Sequence, residues 1–401
     1  MSLGKEQKIL MPEYLQKFSC IGPKCEDTCC SGWTVALDKK TYKKYKKNDN
    51  SQLKPTFNKT IIRNRNNPSD YNYATIKMNE EGACPFLSDS KLCKIHSQVG
   101  VEFLSNTCYF YPQTANKIDN AIELSASISC PEITRLALLD PEPMGFVEVE
   151  VNMKRLHILS FHLEDTNSLN QEKDPMHYFW MLRVFAITLL QDRRYSLDER
   201  FLLLGIVLKK ITQLQETNQL KQLPQFLEEY QNQFDMVEEI KSMINASDNN
   251  IRAPFSKNFI EQFSNIDILV NFANERYLQC VDDIISGLKI SEKDIDEVQK
   301  LYMKAYTNYY QPYMEEKEYI LENFIVNEVF KELYPFAKLQ SIENSYIMLL
   351  TLYNTVKFHL IGISSQHKKL TDGIVIKMIQ SFSRVILHHR DYLNILKVET
   401  N

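Results

Sequence analysis

Apolar residues in the second half of the chain recur with helical spacing. Ile295, Val298, Leu301, Tyr302, Ala305, Tyr306 and Tyr309 keep i, i+3, i+7 spacing, which puts them on one helix face. Similar stripes run through 225–245, 257–288, 316–334, 343–362 and 373–397. Ser196-Leu-Asp-Glu199 reads as a capping box ahead of the apolar run that starts at Phe201. From about residue 154 the pattern is helical almost throughout, and a polar loop at 247–254 separates two helical groups. No repeat of fixed period is present.

The first 140 residues read differently. Ile122, Leu124, Ala126, Ile128 and Cys130 alternate with Glu123, Ser125, Ser127 and Ser129, the period of a strand with one buried face. Pro131 then suits the first turn of a helix carrying Ile133, Leu136 and Leu138. Asp38 caps a helix start that carries six lysines, a solvated face or a contact for an acidic partner. Asp140-Pro-Glu-Pro-Met-Gly145 breaks both patterns, and 146–151 alternates once more as a short strand. The expected architecture is mainly α: a cysteine-rich, metal- or cluster-binding domain with short strands over 1–140, followed by a large all-helical domain over 146–401.

The composition narrows the function classes. The chain has 401 residues, 44% apolar and 24% charged, which excludes wholesale disorder. Net charge is −4, so polyanion binding is not expected and no nucleic-acid partner is assigned. None of the ten glycines is spaced as G-x-G, so the dinucleotide fingerprint and the P-loop are absent. Residues 1–15 lack the apolar core of a signal peptide. The longest apolar run, 178–190, is short for a bilayer and carries Arg183. A cytoplasmic protein without a membrane partner is the expectation.

Eight of nine cysteines lie between Cys20 and Cys130: Cys20, Cys25, Cys29, Cys30, Cys84, Cys93, Cys108 and Cys130. Cys280 stands alone in a helical stretch and reads as an inert core thiol. Disulfides do not suit a chain of this size without an export signal. Buried inert thiols suit Cys25, Cys29 and Cys30 poorly, since Lys24, Glu26, Asp27, Thr28 and Ser31 surround them. Thiolate ligation of a soft metal or an iron–sulfur cluster fits best, because Gly- and Pro-containing loops can turn several sulfurs to one centre. Zinc usually shows two C-x2-4-C knuckles. The spacings here are x4, x3 and x0, then x8, x14 and x21, so no second knuckle follows. Gly32 stands where a C-x3-C-x2-C motif would need its last cysteine. The adjacent Cys29 and Cys30 are expected to point apart. Two four-thiolate sites, or one cluster with spare thiols, both remain open.

The helical part has no catalytic signature. No histidine forms H-E-x-x-H, and His388-His389 reads as a surface pair. Tyr302, Tyr306, Tyr309, Tyr310 and Tyr313 crowd one segment, either as core packing or as an aromatic wall around a cation.

The sequence resembles the flagellin lysine-N-methylase family. The resemblance rests on Phe18-Ser-Cys20, Cys25-Glu-Asp-Thr-Cys29-Cys30-Ser-Gly-Trp33, Cys84-Pro-Phe-Leu and Cys93-Lys-Ile-His96. It continues through Leu104-Ser-Asn-Thr-Cys108-Tyr-Phe-Tyr-Pro112 and Leu124-Ser-Ala-Ser-Ile-Ser-Cys130-Pro-Glu132, then Tyr319-Ile-Leu-Glu322-Asn323-Phe-Ile-Val-Asn327 with Phe330 and Pro335. The first half also resembles zinc- or iron-chelating cysteine-cluster domains. The resemblance implies methyl transfer from S-adenosylmethionine to lysine side chains of a protein substrate, flagellin. It also implies an iron–sulfur cluster, 4Fe–4S before zinc, on the eight clustered cysteines. Glu322 and Asn323 are then the candidate catalytic residues, and Tyr302, Tyr306 and Tyr309 the candidate wall for the cosubstrate. The competing reading is a non-catalytic metal- or iron–sulfur-binding scaffold or a redox protein. A wide groove between the two domains, with the cysteine centre beside it, is the expected site.

Overall fold

The computed structural model describes residues 7–66, 69–151, 161–163, 166–170, 173–247, 274–336 and 341–387. His388-His389, the first part of the 257–288 stripe and the 247–254 loop beyond Ser247 lie outside the described residues.

The described strands are β1 (Gln7–Pro12), β2 (Val35–Leu37), β3 (Ile61–Arg63), β4 (Ala74–Ile76), β5 (Gln113–Ile118), β6 (Ala121–Ala126), β7 (Phe146–Val151) and β8 (Phe161–Leu163). The larger sheet has the order β7-β1-β6-β5-β8 and the smaller β2-β4-β3. β7, the short strand expected over 146–151, pairs antiparallel with β1, so the second domain, expected to be all-helical, contributes to a sheet begun near the N-terminus.

The alternating segment forms β6 as far as Ala126, while 127–130, expected to continue it, turns toward the helix that Pro131 opens, and the polar positions of β6 do not face water. Glu123 and Ser125 are both 1% exposed. The helix Phe179–Leu190 covers that face, and both arms of the Arg183 guanidinium meet the Glu123 carboxylate, one at 2.8 Å. The rings of Phe179, Trp180 and Phe330 stack around Arg183 at 4.7, 4.9 and 5.1 Å. The charge inside the apolar run 178–190 is thus the partner of the charge inside the strand. Period-two alternation reports the pleat, not what covers each face.

Packing divides the chain differently from the breaker at 140–145. Ile9, Met11, Tyr14, Ala115, Leu124, Ile133 and Leu138 share one core with the helices as far as Ile386. A second, small core gathers Val35, Leu37, Tyr45, Phe57, Ile76, Phe86 and Ile95. The breaker itself is pinned: Arg193 donates to Pro141 O at 2.7 Å and Asn323 to Asp140 O at 2.9 Å.

The helix Ile342–His367 forms the centre of the bundle. By length and composition it could cross a membrane, yet most of it is buried by its neighbours. It crosses the helix Glu275–Leu288 at two glycines, where a Cβ on Gly287 would sit 2.7 Å from Gly362 O. The contact therefore excludes any side chain at Gly287.

His359 lies fully inside this bundle. Its Nδ1 donates to Thr355 O at 2.7 Å, which leaves Nε2 to accept the Tyr277 hydroxyl at 2.9 Å. Burial pushes the ring down to about 4 from 6.5, against the pull of the Thr355 carbonyl. Between these values the unfolded chain binds a proton that the native one refuses. Stability is therefore expected to fall as pH drops through that window, by about 3 kcal/mol from this group. Urea unfolding at pH 7 and pH 4.5 checks it: the drop should be smaller in His359→Gln than in wild type, and equal drops would refute it.

Candidate functional site

The cysteine loops are built around short backbone ties. Cys84 N donates to Cys30 O at 2.7 Å, and Cys93 is bridged to Leu87. Cys108 N donates to Ser105 Oγ at 3.1 Å, inside the short helix Asn106–Phe110. All nine cysteines are free thiols. Burial pushes Cys84 up to about 11 and Cys108 up to about 12. Backbone N–H groups two and three residues on pull in the opposite sense: Phe86 and Leu87 on Cys84, Ile95 and His96 on Cys93, Glu132 and Ile133 on Cys130. N–H groups aimed at sulfur are what a thiolate ligand needs. Cys30 is drawn down to about 7, first by the Cys29 thiol and further by Thr28 and the Arg384 guanidinium. The expectation that Cys29 and Cys30 point apart is therefore corrected: the tight loop after Asp27 brings the two thiols to bear on each other.

Among the described residues, no three His, Cys, Asp or Glu side chains converge on a single ion. A zinc ion needs that convergence. An iron–sulfur cluster gives each thiolate its own iron, so its donors need only ring a common space.

Asp27 docks the cysteine loop on the helices. It accepts from Asn274 at 3.2 Å, from Gln380 at 2.7 Å and from Arg384. Arg384 also donates to Ser31 O at 2.5 Å, and Arg135 meets Glu26 at 2.6 Å.

A separate cleft of about 440 Å³ opens within the helical part. Asp198, Tyr306, Tyr310, Glu318, Tyr353 and Lys357 are among its walls. Lys357 Nζ lies 2.6 Å from both Asp198 oxygens. Its ammonium faces the rings of Tyr306, Tyr310 and Tyr353 at 5.8, 6.0 and 5.5 Å. The Tyr353 hydroxyl donates to Asp198 at 2.8 Å. Tyr306–Tyr310 is a π-helical turn, an irregularity that stacks these two rings 5.6 Å apart. Burial pushes the Glu318 carboxyl upward, opposed by the Arg200 guanidinium 3.4 Å away.

The structure separates the residues expected to act together. Tyr306 lines the cleft. Tyr302 is buried and stacks on Phe358 at 5.6 Å, and Tyr309 faces the Lys368 ammonium at 5.8 Å. Glu322 is 1% exposed and grips two arginines, Arg200 at 2.7 Å and Arg193 at 2.8 Å. Asn323 holds the 140–145 breaker, and neither residue is among the cleft's walls. Those walls run from Arg193 to Lys357, so the cysteine region takes no part in them. Sheet and helices share one core, and this cleft forms within the bundle.

A family model described as the FliB lysine N-methylase C-terminal domain matches residues 183–399, more than half of the chain. The chain belongs to the FliB lysine N-methylase family. It is 34% identical over 145 residues to the lysine-N-methylases of Salmonella typhimurium and Salmonella choleraesuis, 36% of this chain and 36% of each of theirs. It shows the same identity to the flagellar biosynthetic protein FliU of Salmonella muenchen, over 85% of that protein. The chain thus matches about a third of the length of the two lysine-N-methylases. No solved structure matches.

Every wall of the cleft falls inside the matched FliB domain, and all eight clustered cysteines fall before it. Sequence reasoning missed Asp198, Glu318, Tyr353 and Lys357. One signal was available: Lys357 and Tyr353 sit one turn apart in a helix that is otherwise mostly apolar. Nothing local links them to Asp198, more than 150 residues away.

Proposed function

We propose that this FliB-family chain is a protein lysine N-methyltransferase that takes its methyl group from S-adenosylmethionine, acts on flagellin in the cytoplasm, and carries iron–sulfur in its cysteine region. The observation that carries this reading is the cleft inside the FliB domain. There a lysine ammonium already rests against three tyrosine faces with Asp198 as counter-charge. Aromatic faces attract onium cations, and a sulfonium or a substrate ammonium makes the same demand.

The reaction needs a neutral amine in line with the sulfonium methyl. Glu318, whose carboxyl burial holds above its ordinary range, accepts the proton of the incoming ammonium. The amine nitrogen then forms a bond to the methyl carbon while the carbon–sulfur bond breaks, and sulfur leaves with the electron pair as a neutral thioether. Transfer of this kind needs no radical. The iron–sulfur region orders the loops that Asp27 ties to the helices, and no step runs through it.

Anaerobically purified protein should bind S-adenosylmethionine in calorimetry and add methyl mass to lysines of flagellin. Tyr306→Ala is expected to weaken that binding about 10- to 30-fold, the loss of one desolvated cation–π contact. Iron and sulfide without any binding of S-adenosylmethionine would transfer the chain to the scaffold or redox reading.

A further inference from the structure

Charge is spread unevenly over this chain. Between Asp38 and Arg65 stand ten lysines and arginines against two aspartates, in a chain whose net charge is −4. These residues form the helix Lys39–Lys47, the helix Lys54–Thr60 and β3, packed around the small core. The fold gathers several of the cations on aromatic rings. Lys39 Nζ and the Arg63 guanidinium both face Tyr73, at 5.8 and 4.9 Å. Tyr73 meets Tyr42 edge-on at 5.2 Å, and Lys46 faces Tyr42 at 5.9 Å. Lys43 shares that helix face, being spaced i, i+4 from Lys39. Among the described residues Lys39 is paired with Asp70, whereas the exposed Lys43, Lys46, Arg63 and Arg65 have no carboxylate partner.

β3 is an edge of the smaller sheet and lies beside this cationic face. Its register against β4 sets which backbone groups stay open. Asn64 N donates to Tyr73 O at 3.0 Å and Lys77 N to Thr60 O at 2.8 Å, so Thr60, Ile62 and Asn64 turn their peptide groups to β4. In an antiparallel ladder the alternate residues turn theirs the other way. The N–H and C=O of Arg63 and the C=O of Ile61 therefore point out from the sheet edge, while the Ile61 N–H closes the preceding helix on Phe57 O. An open groove of about 700 Å³ follows residues 61–66 there, with Thr75 on its other side. Ile62 stands half-exposed in it.

We propose that this edge docks an extended acidic segment of a partner protein, which adds to β3 as a fourth strand of the smaller sheet. Each feature answers one part of such a segment. Its peptide groups pair with those of Arg63 and Ile61, and its carboxylates meet Arg63, Arg65, Lys43 and Lys46. Its alternate side chains are apolar, because a strand presents every second residue to the face that carries Ile62. A nucleic acid or a lipid headgroup would answer the charges, but neither offers peptide groups to the edge nor an apolar side chain to Ile62. The surface belongs to the small core, apart from the cleft, and does not depend on the methyltransferase reading.

The test uses the full chain and a fluorescent, end-blocked peptide of alternating glutamate and valine, with a lysine–valine peptide as its counterpart. Anisotropy should show binding of the first and none of the second. The triple variant Lys43→Glu/Lys46→Glu/Arg65→Glu, all on exposed side chains, is expected to bind about 10- to 100-fold more weakly. Arg63→Pro removes an outward N–H without taking a bond from the β4 ladder, so it should weaken binding about 5-fold more than Arg63→Gln does. Hydrogen exchange in the wild type needs no variant: the acidic peptide should slow exchange of the Arg63 amide. Equal binding by wild type and the triple variant, or peptide binding that leaves the Arg63 amide exchanging at its free rate, would overturn the strand-addition proposal. So would no peptide binding at millimolar concentration, or tighter binding of oligothymidine or phosphatidylserine vesicles than of the peptide.

Discussion

Glu322→Ala is expected to lower the unfolding free energy by about 3–5 kcal/mol, the usual cost of leaving a buried charge without its partner. Arg200 is only 2% exposed, and its Nη1 donates to Glu322 at 2.7 Å. Without that carboxylate it keeps the carbonyls of Tyr195 and Leu190, each at 2.8 Å, and a distant Glu318 at 3.4 Å. Carbonyls satisfy hydrogen bonds but do not neutralise a guanidinium. Arg193, which also donates to Glu322, would lose its hold between the bundle and the 140–145 breaker. Urea unfolding should show a lower midpoint with an unchanged slope. Glu322→Gln should cost less, because the amide oxygen still accepts. The opposite pattern, wild-type stability in Glu322→Gln with methyl transfer abolished, would restore the catalytic role that the resemblance implies for Glu322.

Glu318→Gln should do the reverse: fold normally and lose about 10²- to 10⁴-fold in kcat, the range for a missing general base. Glu318 lies one turn before Glu322, but on the cleft wall rather than in the arginine clasp. Its carboxyl is held above the usual range by burial, so the wild-type rate should fall on the acid side at a higher pH than for an ordinary glutamate. In Glu318→Gln that acid limb should vanish. KM for S-adenosylmethionine should change little, since the tyrosines and Asp198 remain. An unchanged kcat, or an acid limb that survives the substitution, would remove Glu318 from the proton transfer.

The two glutamates show where sequence reading stops. Glu322 sits in the segment that carries the family resemblance and Glu318 immediately before it, and nothing in the pattern says which one faces the cleft. In the helix Tyr319–Lys331 every residue from Ile320 onward is buried. Asn327 joins Tyr14 and Ala126 O, and Asn116 reaches Lys331 O, so the helix ties sheet to bundle. A motif can be specific because it packs.

Features that depend on a few adjacent residues were legible. Asp38 accepts from Thr41 N at 2.9 Å as its cap position predicts, and Ser196 with Glu199 forms the capping box. The alternation through Ile122 and Leu124 gave β6, and Pro131 opens a helix. Such features follow from local geometry: which backbone groups lack partners, and which side chains share a face. The sequence also placed eight of the nine cysteines in the first third of the chain and helices through most of the described residues that follow. Only the tertiary structure decided what each buried charge meets. Glu123 found Arg183 60 residues on, Asp198 found Lys357 159 residues on, and Asp27 found Arg384 357 residues on. It also decided that Tyr306 and Tyr310 face a cation while Tyr302, on the same stripe, fills the core. Helical spacing fixes which residues share a face; the neighbours that the rest of the chain brings to that face decide whether it is core or cleft.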